Sequence, residues 1–281
     1  MTIQNDIQEY LNQGKLKEAA AYIKQTLRNG ADLENLDILL AHILLLSGDW
    51  TEIDSLLTHN TNFLSASGWL NSIATQRPVN SDSKPIPWYT YSAIDFLDGI
   101  VKKHWTVFEW GCGNSTHWWS YKAGKVISIE DNEAWYREVK AHLPDNAELY
   151  YKTENDYSDC ILAFPDKHFD AIIIDGSFRN ESAGNSVSKI KDSGMIIFDN
   201  SDNAMFDQSQ KHLADAGFYR IDFWRLIPSY LYKNCTSIYF KDPIILRNDL
   251  VPSAHKSSIG MSCQQSLNYL TGESKKASVN S

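Results

Sequence analysis

The feature that most constrains the fold is an alternation of short apolar runs with helical stretches after residue 88. The apolar runs have the composition of buried strands, and they are TVFEW, KVISIE, AELYY, DAIIID, GMIIFD, FYRIDFW and TSIYFK. The helical candidates are YSAIDFLDGIVKK, STHWWSYKA, NEAWYREVKAHL, NSVSKIKD and DQSQKHLADAG. Strands that alternate with helices in this way indicate an α/β fold with a parallel, doubly wound sheet. The last two runs lack a long intervening helix, so we predict an antiparallel pair at one edge.

Residues 1–77 have helical patterns and form a separate domain on this interpretation. Gly14 and Gly48 lie 34 residues apart, and GKLKEAAAYI resembles the second half of a tetratricopeptide repeat. A plain antiparallel helical bundle is the alternative. Either unit suits docking of a protein partner or formation of a homodimer. Proline and serine are frequent in residues 78–87, which we interpret as a linker. Residues 88–246 form the main domain, and residues 247–281 are a polar tail that we expect to be disordered.

Composition and charge exclude several classes of protein. The net charge is −9 and no basic stripe is present, so we expect no nucleic-acid partner. The longest apolar stretch, Ile38–Ser47, is about half the length of a membrane span, and the first residues do not form a signal peptide. The four cysteines form no CxxC pair, which fits a reducing compartment. We therefore expect a cytoplasmic protein that does not enter a membrane.

The stretch FEWGCGNSTHWWS after the first strand predicts a ligand-binding loop. Gly111 and Gly113 allow a sharp turn and a close approach of the backbone to a ligand. A helix that begins near Asn114 and Ser115 would direct free N–H groups toward that ligand. A dinucleotide fingerprint requires a third glycine, but Thr116 stands at that position. A pyrophosphate-binding loop is therefore incomplete.

Two acidic residues narrow the choice of cofactor. Glu109 precedes the glycine pair, where a carboxylate disfavours a phosphate but suits an ammonium group. Glu130 ends the second strand, a position from which an acid can accept both ribose hydroxyls of a nucleoside. An ammonium group and a ribose without a phosphate describe S-adenosylmethionine.

Four motifs at strand ends resemble those of class I S-adenosylmethionine-dependent methyltransferases: VFEWGCGNST, VISIED, FDAIIIDGS and SGMIIFDNSD. The resemblance spans residues 88–242 and implies a Rossmann-like, seven-stranded sheet. It leaves the adenine partner open among several residues, Glu154 and Asp156 included. The cofactor-binding residues that we expect are Glu109, Gly111, Cys112, Gly113, Asn114, Ser115, Glu130, Asp131, Asp156 and Asp175.

The ends of the fourth and fifth strands resemble a metal site. Asp175, Asp199 and Asn200 match the Asp, Asp and Asn ligands of metal-dependent O-methyltransferases of the catechol and caffeoyl-coenzyme A type. Three hard oxygen ligands suit Mg²⁺, which would favour the ionised form of an oxygen nucleophile. The resemblance therefore implies O-methylation of a small molecule, with Asp175 at the reaction centre.

The position of the general base departs from the pattern of the catechol-type enzymes. The catechol-type enzymes have a lysine three residues after the first ligand, where this chain has Phe178 followed by Arg179. Arginine stays protonated, so Arg179 would orient an acidic substrate or stabilise an oxyanion. His117 and Asp202 are the alternative bases.

Aromatic residues suggest the borders of an acceptor pocket. Tyr230 and Tyr232 fall between the last two strands, after Trp224 at the end of the first of these strands, and Tyr89 and Tyr91 precede the first strand of the sheet at a frequent lid position. Core packing explains each of them equally well. Two further functions remain open at this stage: a metal-free methyltransferase acting on nitrogen or on a protein, and a non-catalytic interaction protein.

Overall fold

The structure is a computed structural model that describes residues 3–29, 40, 43–44, 63–230 and 232–243. These residues belong to two compact units, one containing residues up to Ser67 and one beginning at Gly68. In the described part of the chain, no helix combines the length and the apolar character that a bilayer crossing requires.

The first unit contains the helices α1 (Ile3–Asn12), α2 (Leu16–Arg28) and α3 (Phe63–Ala66). Gly14 forms the turn between α1 and α2 with a φ of +69°, a conformation that glycine adopts without strain. Ile7, Ala19 and Ile23 are buried in a common apolar cluster. The helices predicted after residue 30 and the tail after residue 246 lie outside the described residues, so the 34-residue period stays a prediction.

The second unit contains seven helices, seven strands and two short 3₁₀ turns among its described residues. The helices are α4 (Trp69–Thr75), α5 (Tyr91–Ile100), α6 (Asn114–Lys122), α7 (Glu133–Lys140), α8 (Glu154–Asp159), α9 (Arg179–Ser186) and α10 (Asp207–Asp215). The strands are β1 (Thr106–Trp110), β2 (Lys125–Glu130), β3 (Ala147–Tyr151), β4 (Phe169–Ile174), β5 (Ile190–Asp199), β6 (Tyr219–Leu226) and β7 (Lys233–Phe240).

The strands form one seven-stranded sheet in the order β3-β2-β1-β4-β5-β7-β6. Strands β1 to β5 are parallel, and β7 lies antiparallel between β5 and β6. This seven-stranded, Rossmann-like sheet is the fold that the sequence resemblance implies, and it confirms the predicted fold and the antiparallel edge pair. The carboxyl ends of β1, β2, β4 and β5 meet at one edge of the sheet, where ligands bind in open α/β folds.

Burial explains why these strands can be recognised in the sequence. Every residue of β4 is buried, and the core contains Phe108, Trp110, Ile172 and Ile196. Burying apolar surface contributes about 25 cal/mol per Å². Strands covered by helices on both faces are therefore continuously apolar.

The helix predicted over NSVSKIKD, residues 185–192, is wrong. The helix lies earlier, at Arg179–Ser186, and the residues from Ile190 begin β5. Ile190 is 3% exposed and pairs with Phe169 of β4. Its burial against the sheet outweighs the local helical pattern.

The segment predicted as a linker is folded onto the second unit. The Val79 N–H donates to the Ser72 hydroxyl at 3.0 Å, and the Asn80 side chain accepts from the backbone N–H groups of Asp82 and Lys84 at 3.0 and 2.9 Å. Val79 also forms a bridge with Pro85. Residues 78–87 therefore form an ordered turn, and the compact unit begins at Gly68.

Candidate active site

The loop after β1 approaches its neighbours so closely that only glycine fits. Gly111 has a φ of +88°, and a Cβ at this position would lie 3.2 Å from the backbone nitrogen of Gly176. A Cβ on Gly176 itself would lie 1.8 Å from the Tyr157 hydroxyl oxygen. Gly113, with a φ of +154°, packs against the ring of Trp135. The loops after β1 and β4 are therefore in direct backbone contact.

Glu109 is a buried carboxylate beneath this loop, with 1% of its surface exposed. Its Oε2 accepts hydrogen bonds from the Thr116 hydroxyl at 2.6 Å and from the Ser128 hydroxyl at 2.8 Å. Its Oε1 is buried and has no hydrogen-bond partner among the described residues. Burial raises the pKa of Glu109 to about 7, although the hydroxyls of Ser115, Thr116 and Ser128 favour the charged form.

Thr116 has a structural role at the position where a dinucleotide fold has its third glycine. Its hydroxyl donates to Glu109 and accepts from the Gly113 N–H at 3.1 Å. The Thr116 side chain thus fixes the Glu109 carboxylate and also caps the N-terminus of helix α6. The departure from the dinucleotide fingerprint therefore has a local physical reason.

Glu130 at the end of β2 fixes the other side of the loop. Its Oε2 accepts from the Cys112 N–H at 3.2 Å, and its Oε1 accepts from the Asn132 N–H at 2.9 Å. The Trp135 indole N–H donates to the Cys112 carbonyl at 2.7 Å. Burial raises the pKa of Glu130. A carboxylate oxygen accepts more than one hydrogen bond, so Glu130 retains capacity for a ligand hydroxyl.

The other residues predicted for the cofactor surround this loop unevenly. Asn114 donates to the Pro78 carbonyl at 2.7 Å, so it holds the neighbouring turn in place. Asp131 is half-buried after β2, whereas Asp156 is exposed on α8. The buried Tyr157, which was not among the predicted site residues, accepts a hydrogen bond from the Ser177 N–H through its hydroxyl at 3.3 Å.

Arg179 joins the carboxyl ends of β4 and β5. Its Nε donates to the Gly176 carbonyl at 2.8 Å. Its Nη1 donates to the Asp199 carbonyl at 2.5 Å and to Asn200 Oδ1 at 3.1 Å. Its Nη2 donates to the carbonyl and to Oδ1 of Asp175 at 2.7 and 3.2 Å. A guanidinium group has five N–H donors, and all five are used here.

This arrangement does not fit the expected magnesium site. The structure brings Asp175, Asp199 and Asn200 together, but the guanidinium of Arg179 lies among their oxygens and carries the compensating positive charge. Within residues 3–29, 40, 43–44, 63–230 and 232–243, no group of three or more His, Cys, Asp and Glu side chains is arranged to hold a metal ion. Arg179 also has no donor left to orient an acidic substrate, contrary to the expectation.

The carboxyl groups beside Arg179 have perturbed acidities. Burial raises the pKa of Asp175 to about 6, and Arg179 opposes this shift. Burial and the charge of Asp175 raise the pKa of Asp199 well above its usual value, although the Thr236 hydroxyl donates to its Oδ1 at 2.6 Å. Burial and the nearby charge of Glu109 also raise the pKa of the Tyr89 hydroxyl. Two carboxyl groups of high pKa at one strand edge are typical of proton transfer sites.

A cavity of about 640 Å³ opens beside these carboxyl groups. The structure brings Tyr230 and Tyr232 to it, but Trp224 is not among the lining residues. His117 is not among them either, and burial together with the charge of His142 lowers the pKa of His117. The lining includes Trp88, Asp175, Asp199, Asp202, Tyr230 and Tyr232.

Tyr89 and Tyr91 lie in the core rather than in a lid. Their exposed fractions are 0% and 2%, and the Trp119 indole N–H donates to the Tyr89 hydroxyl at 3.4 Å. The residue of this segment that reaches the cavity is Trp88, which was not among the predicted pocket residues. An exposed aromatic residue beside two buried ones has no distinguishing pattern in the sequence.

No protein-family model and no curated protein matches the chain. Among solved structures, it is similar to a precorrin-6y C5,15-methyltransferase from Geobacter metallireducens at 14% identity, over 53% of this chain and 87% of that chain, with a TM-score of 0.44. It is also similar to a spermidine synthase from Thermotoga maritima at 14% identity, over 62% and 67%, with a TM-score of 0.45. An rRNA methylase from Streptococcus thermophilus has 13% identity over 52% and 92%, with a TM-score of 0.39. Likeness this distant carries no conclusion about activity.

Proposed function

We propose that this chain is an S-adenosylmethionine-dependent methyltransferase that acts on a small molecule. The observation that carries the proposal is Glu109, a buried carboxylate beside Gly111 and Gly113 with one oxygen that accepts no hydrogen bond from the described residues. The ammonium group of the methionine moiety would supply that donor, whereas a phosphate would be repelled. When bound, S-adenosylmethionine supplies an electrophilic methyl group on a sulfonium.

Each part of the loop has a role in holding the cofactor. Glu109 accepts the ammonium group, and Gly111 and Gly113 admit the ligand close to the backbone. Glu130 accepts the ribose hydroxyls while its contacts with Cys112 and Asn132 keep the loop in place. Asp131 and Asp156 are the candidate partners of the adenine.

The acceptor binds in the cavity at the ends of β4 and β5. Methyl transfer is an in-line displacement, so the chain contributes mainly by positioning the acceptor and excluding water. Asp175 lines this cavity, and although burial raises its pKa, the charge of Arg179 opposes that shift and so favours its ionised form. It is placed to accept the proton that the acceptor loses. Arg179 positions Asp175 through the two hydrogen bonds from its Nη2.

Magnesium-dependent O-methylation, which the sequence implies, is not part of the proposal. The guanidinium of Arg179 already occupies the space among Asp175, Asp199 and Asn200 and bonds to their oxygens, so it leaves no room there for a divalent cation. Deprotonation of the acceptor consequently depends on a side chain and not on a metal. The chemical class of the acceptor is a separate question.

Isothermal titration of the full chain with S-adenosylmethionine tests the cofactor assignment. We expect one-site binding that weakens about 10- to 150-fold in Glu130→Ala, since a hydrogen bond to a charged group contributes about 1.5–3 kcal/mol. Glu130→Gln, which keeps one acceptor oxygen, should lose less. The matched control is Glu133→Ala, which removes an exposed acid of the next helix, paired with Arg137. Absence of binding, or equal affinity in Glu130→Ala and the wild type, would refute the proposal.

A further inference from the structure

The cavity combines carboxyl groups at its inner end with aromatic rings at its mouth. Asp199 is 2% exposed, whereas Trp88 and Tyr230 are 38% and 50% exposed. All three line the same space of about 640 Å³, which suits a small molecule. The cavity lies next to the cofactor loop because Asp175 precedes Gly176, which contacts Gly111.

The aromatic wall is held in place by hydrogen bonds. The Trp88 indole N–H donates to the Pro228 carbonyl at 2.8 Å, and the Trp69 indole N–H donates to the Tyr230 carbonyl at 3.0 Å. The ring centroids of Trp88 and Tyr230 are 6.1 Å apart. Fixed aromatic faces beside a cavity attract cations through the electrons of the rings.

The charges of the cavity also favour a cation. Asp175, Asp199 and Asp202 line the cavity together with Lys233, so three acids face one base there, and Arg179 is not among the lining residues. All five donors of Arg179 are used by backbone and side-chain oxygens of the strand ends. The Nζ of Lys233 lies 5.1 Å from the centroid of the Trp224 ring, which does not line the cavity. Carboxyl groups are therefore left to meet the charge of a ligand.

We propose that the methyl acceptor is a primary or secondary amine that binds as a cation, attached to a small apolar or aromatic body. The ammonium group would lie near Asp175 and Asp199, and the body would contact Trp88 and Tyr230. A carboxylate or phosphate substrate would be repelled by the same groups. This inference rests on the proposed function, and it names nitrogen in place of oxygen as the acceptor atom.

The transfer balances without a metal or an oxidant. The ammonium first loses one proton to a carboxylate of the cavity. The lone pair of the neutral nitrogen then forms a bond to the methyl carbon of the sulfonium donor. The carbon–sulfur bond breaks, and its electron pair stays on sulfur, which becomes a thioether. One positive charge thus moves from sulfur to the methylated nitrogen.

Three probes of similar size test the inference by isothermal titration into the full chain saturated with S-adenosylhomocysteine. The probes are 2-phenylethylamine, 2-phenylethanol and phenylacetate. We expect the amine to bind about ten-fold more tightly than the alcohol, and phenylacetate to bind most weakly. Asp175→Asn should remove most of the preference for the amine. Equal affinity for the amine and the alcohol, tighter binding of phenylacetate, or no binding of the amine would overturn the inference.

A matched pair of variants isolates the aromatic wall. Tyr230→Phe keeps the ring face, whereas Tyr230→Leu removes it at an exposed position where folding is not at risk. A cation–π contact contributes about 0.5–1 kcal/mol at such a site, so Tyr230→Leu should weaken amine binding about 2- to 5-fold and Tyr230→Phe should not. Equal affinities in the two variants would contradict the inference. Failure of S-adenosylhomocysteine to bind overturns the proposed function, whereas its normal binding without an amine preference overturns the amine assignment alone.

Discussion

Replacing Glu109 by glutamine should make the unliganded chain more stable at neutral pH while weakening its binding of the cofactor. In the folded chain, burial raises the pKa of Glu109 from 4.5 to about 7. The difference of about 2.5 pH units corresponds to about 3 kcal/mol, since one unit is worth about 1.4 kcal/mol. Glutamine keeps the size of the side chain and one acceptor oxygen for Thr116 and Ser128.

The direction of the effect follows from proton binding. Between pH 4.5 and 7 the folded chain holds a proton on Glu109 that the unfolded chain has lost, so the free energy of unfolding falls as the pH rises. Above pH 7 Glu109 is ionised in the folded chain as well, and burial of its charge then lowers the free energy of unfolding by about 3 kcal/mol. Urea unfolding at pH 4 and pH 8 measures it. The free energy of unfolding of Glu109→Gln minus that of the wild type should therefore be about 3 kcal/mol larger at pH 8 than at pH 4.

The affinity for the cofactor should rise with pH, in contrast to the stability, because only ionised Glu109 pairs with an ammonium group. With a pKa of about 7, about one tenth of the chains are ionised at pH 6 and half at pH 7. Affinity for S-adenosylmethionine should therefore rise about five-fold over this interval, and the rise should end where α-amino groups titrate, near pH 7.7–8.0. Glu109→Gln should bind weakly and without this pH dependence. Two results would refute the assignment of Glu109 to the ammonium group. One is an affinity that depends on pH equally in the wild type and in Glu109→Gln, and the other is a difference in free energy of unfolding between them that does not change with pH.

Three further substitutions test other parts of the structure. Arg179→Lys supplies three hydrogen-bond donors where five are used, so it should lower the free energy of unfolding in urea by about 3 kcal/mol. An unchanged value would contradict the stabilising role of the Arg179 bonds between the ends of β4 and β5. Gly111→Ala places a Cβ 3.2 Å from Gly176 at a positive φ and should abolish S-adenosylmethionine binding in titration; retained affinity would contradict the close loop contact. Gly68→Ala places a Cβ 2.2 Å from the carbonyl carbon of Asn80 and should lower the melting temperature by several degrees. An unchanged melting temperature would indicate instead that residues 78–87 form a flexible linker.

The sheet could be predicted from the sequence because burial on both faces leaves a continuous apolar run. The predicted limits of β1, β2 and β3 agree with the structure. The start of β5 was missed because the polar residues around Ile190 conceal a strand whose first residue is buried by a distant contact with Phe169. The turn at residues 78–87 was missed for a related reason, since its order depends on Ser72 and on hydrogen bonds of Asn80.

The acids of the candidate site were visible in the sequence because each one stands at the end of an apolar run. Their partners were not visible. Whether Arg179 faces a ligand or folds back over the strand ends depends on the geometry of α9, which begins at this residue after Phe178 with a φ of +51°. The burial of Tyr157 likewise depends on the approach of Gly176, and no local pattern signals it.

A crystal structure of the full chain with S-adenosylhomocysteine would test the central claim most directly. We predict that its ammonium group lies within hydrogen-bond distance, about 3 Å, of Glu109 Oε1, and that its ribose hydroxyls contact Glu130. A ligand whose ammonium group lies away from Glu109, or a phosphate bound by Gly111 and Gly113, would contradict the assignment of this loop to a methyl donor.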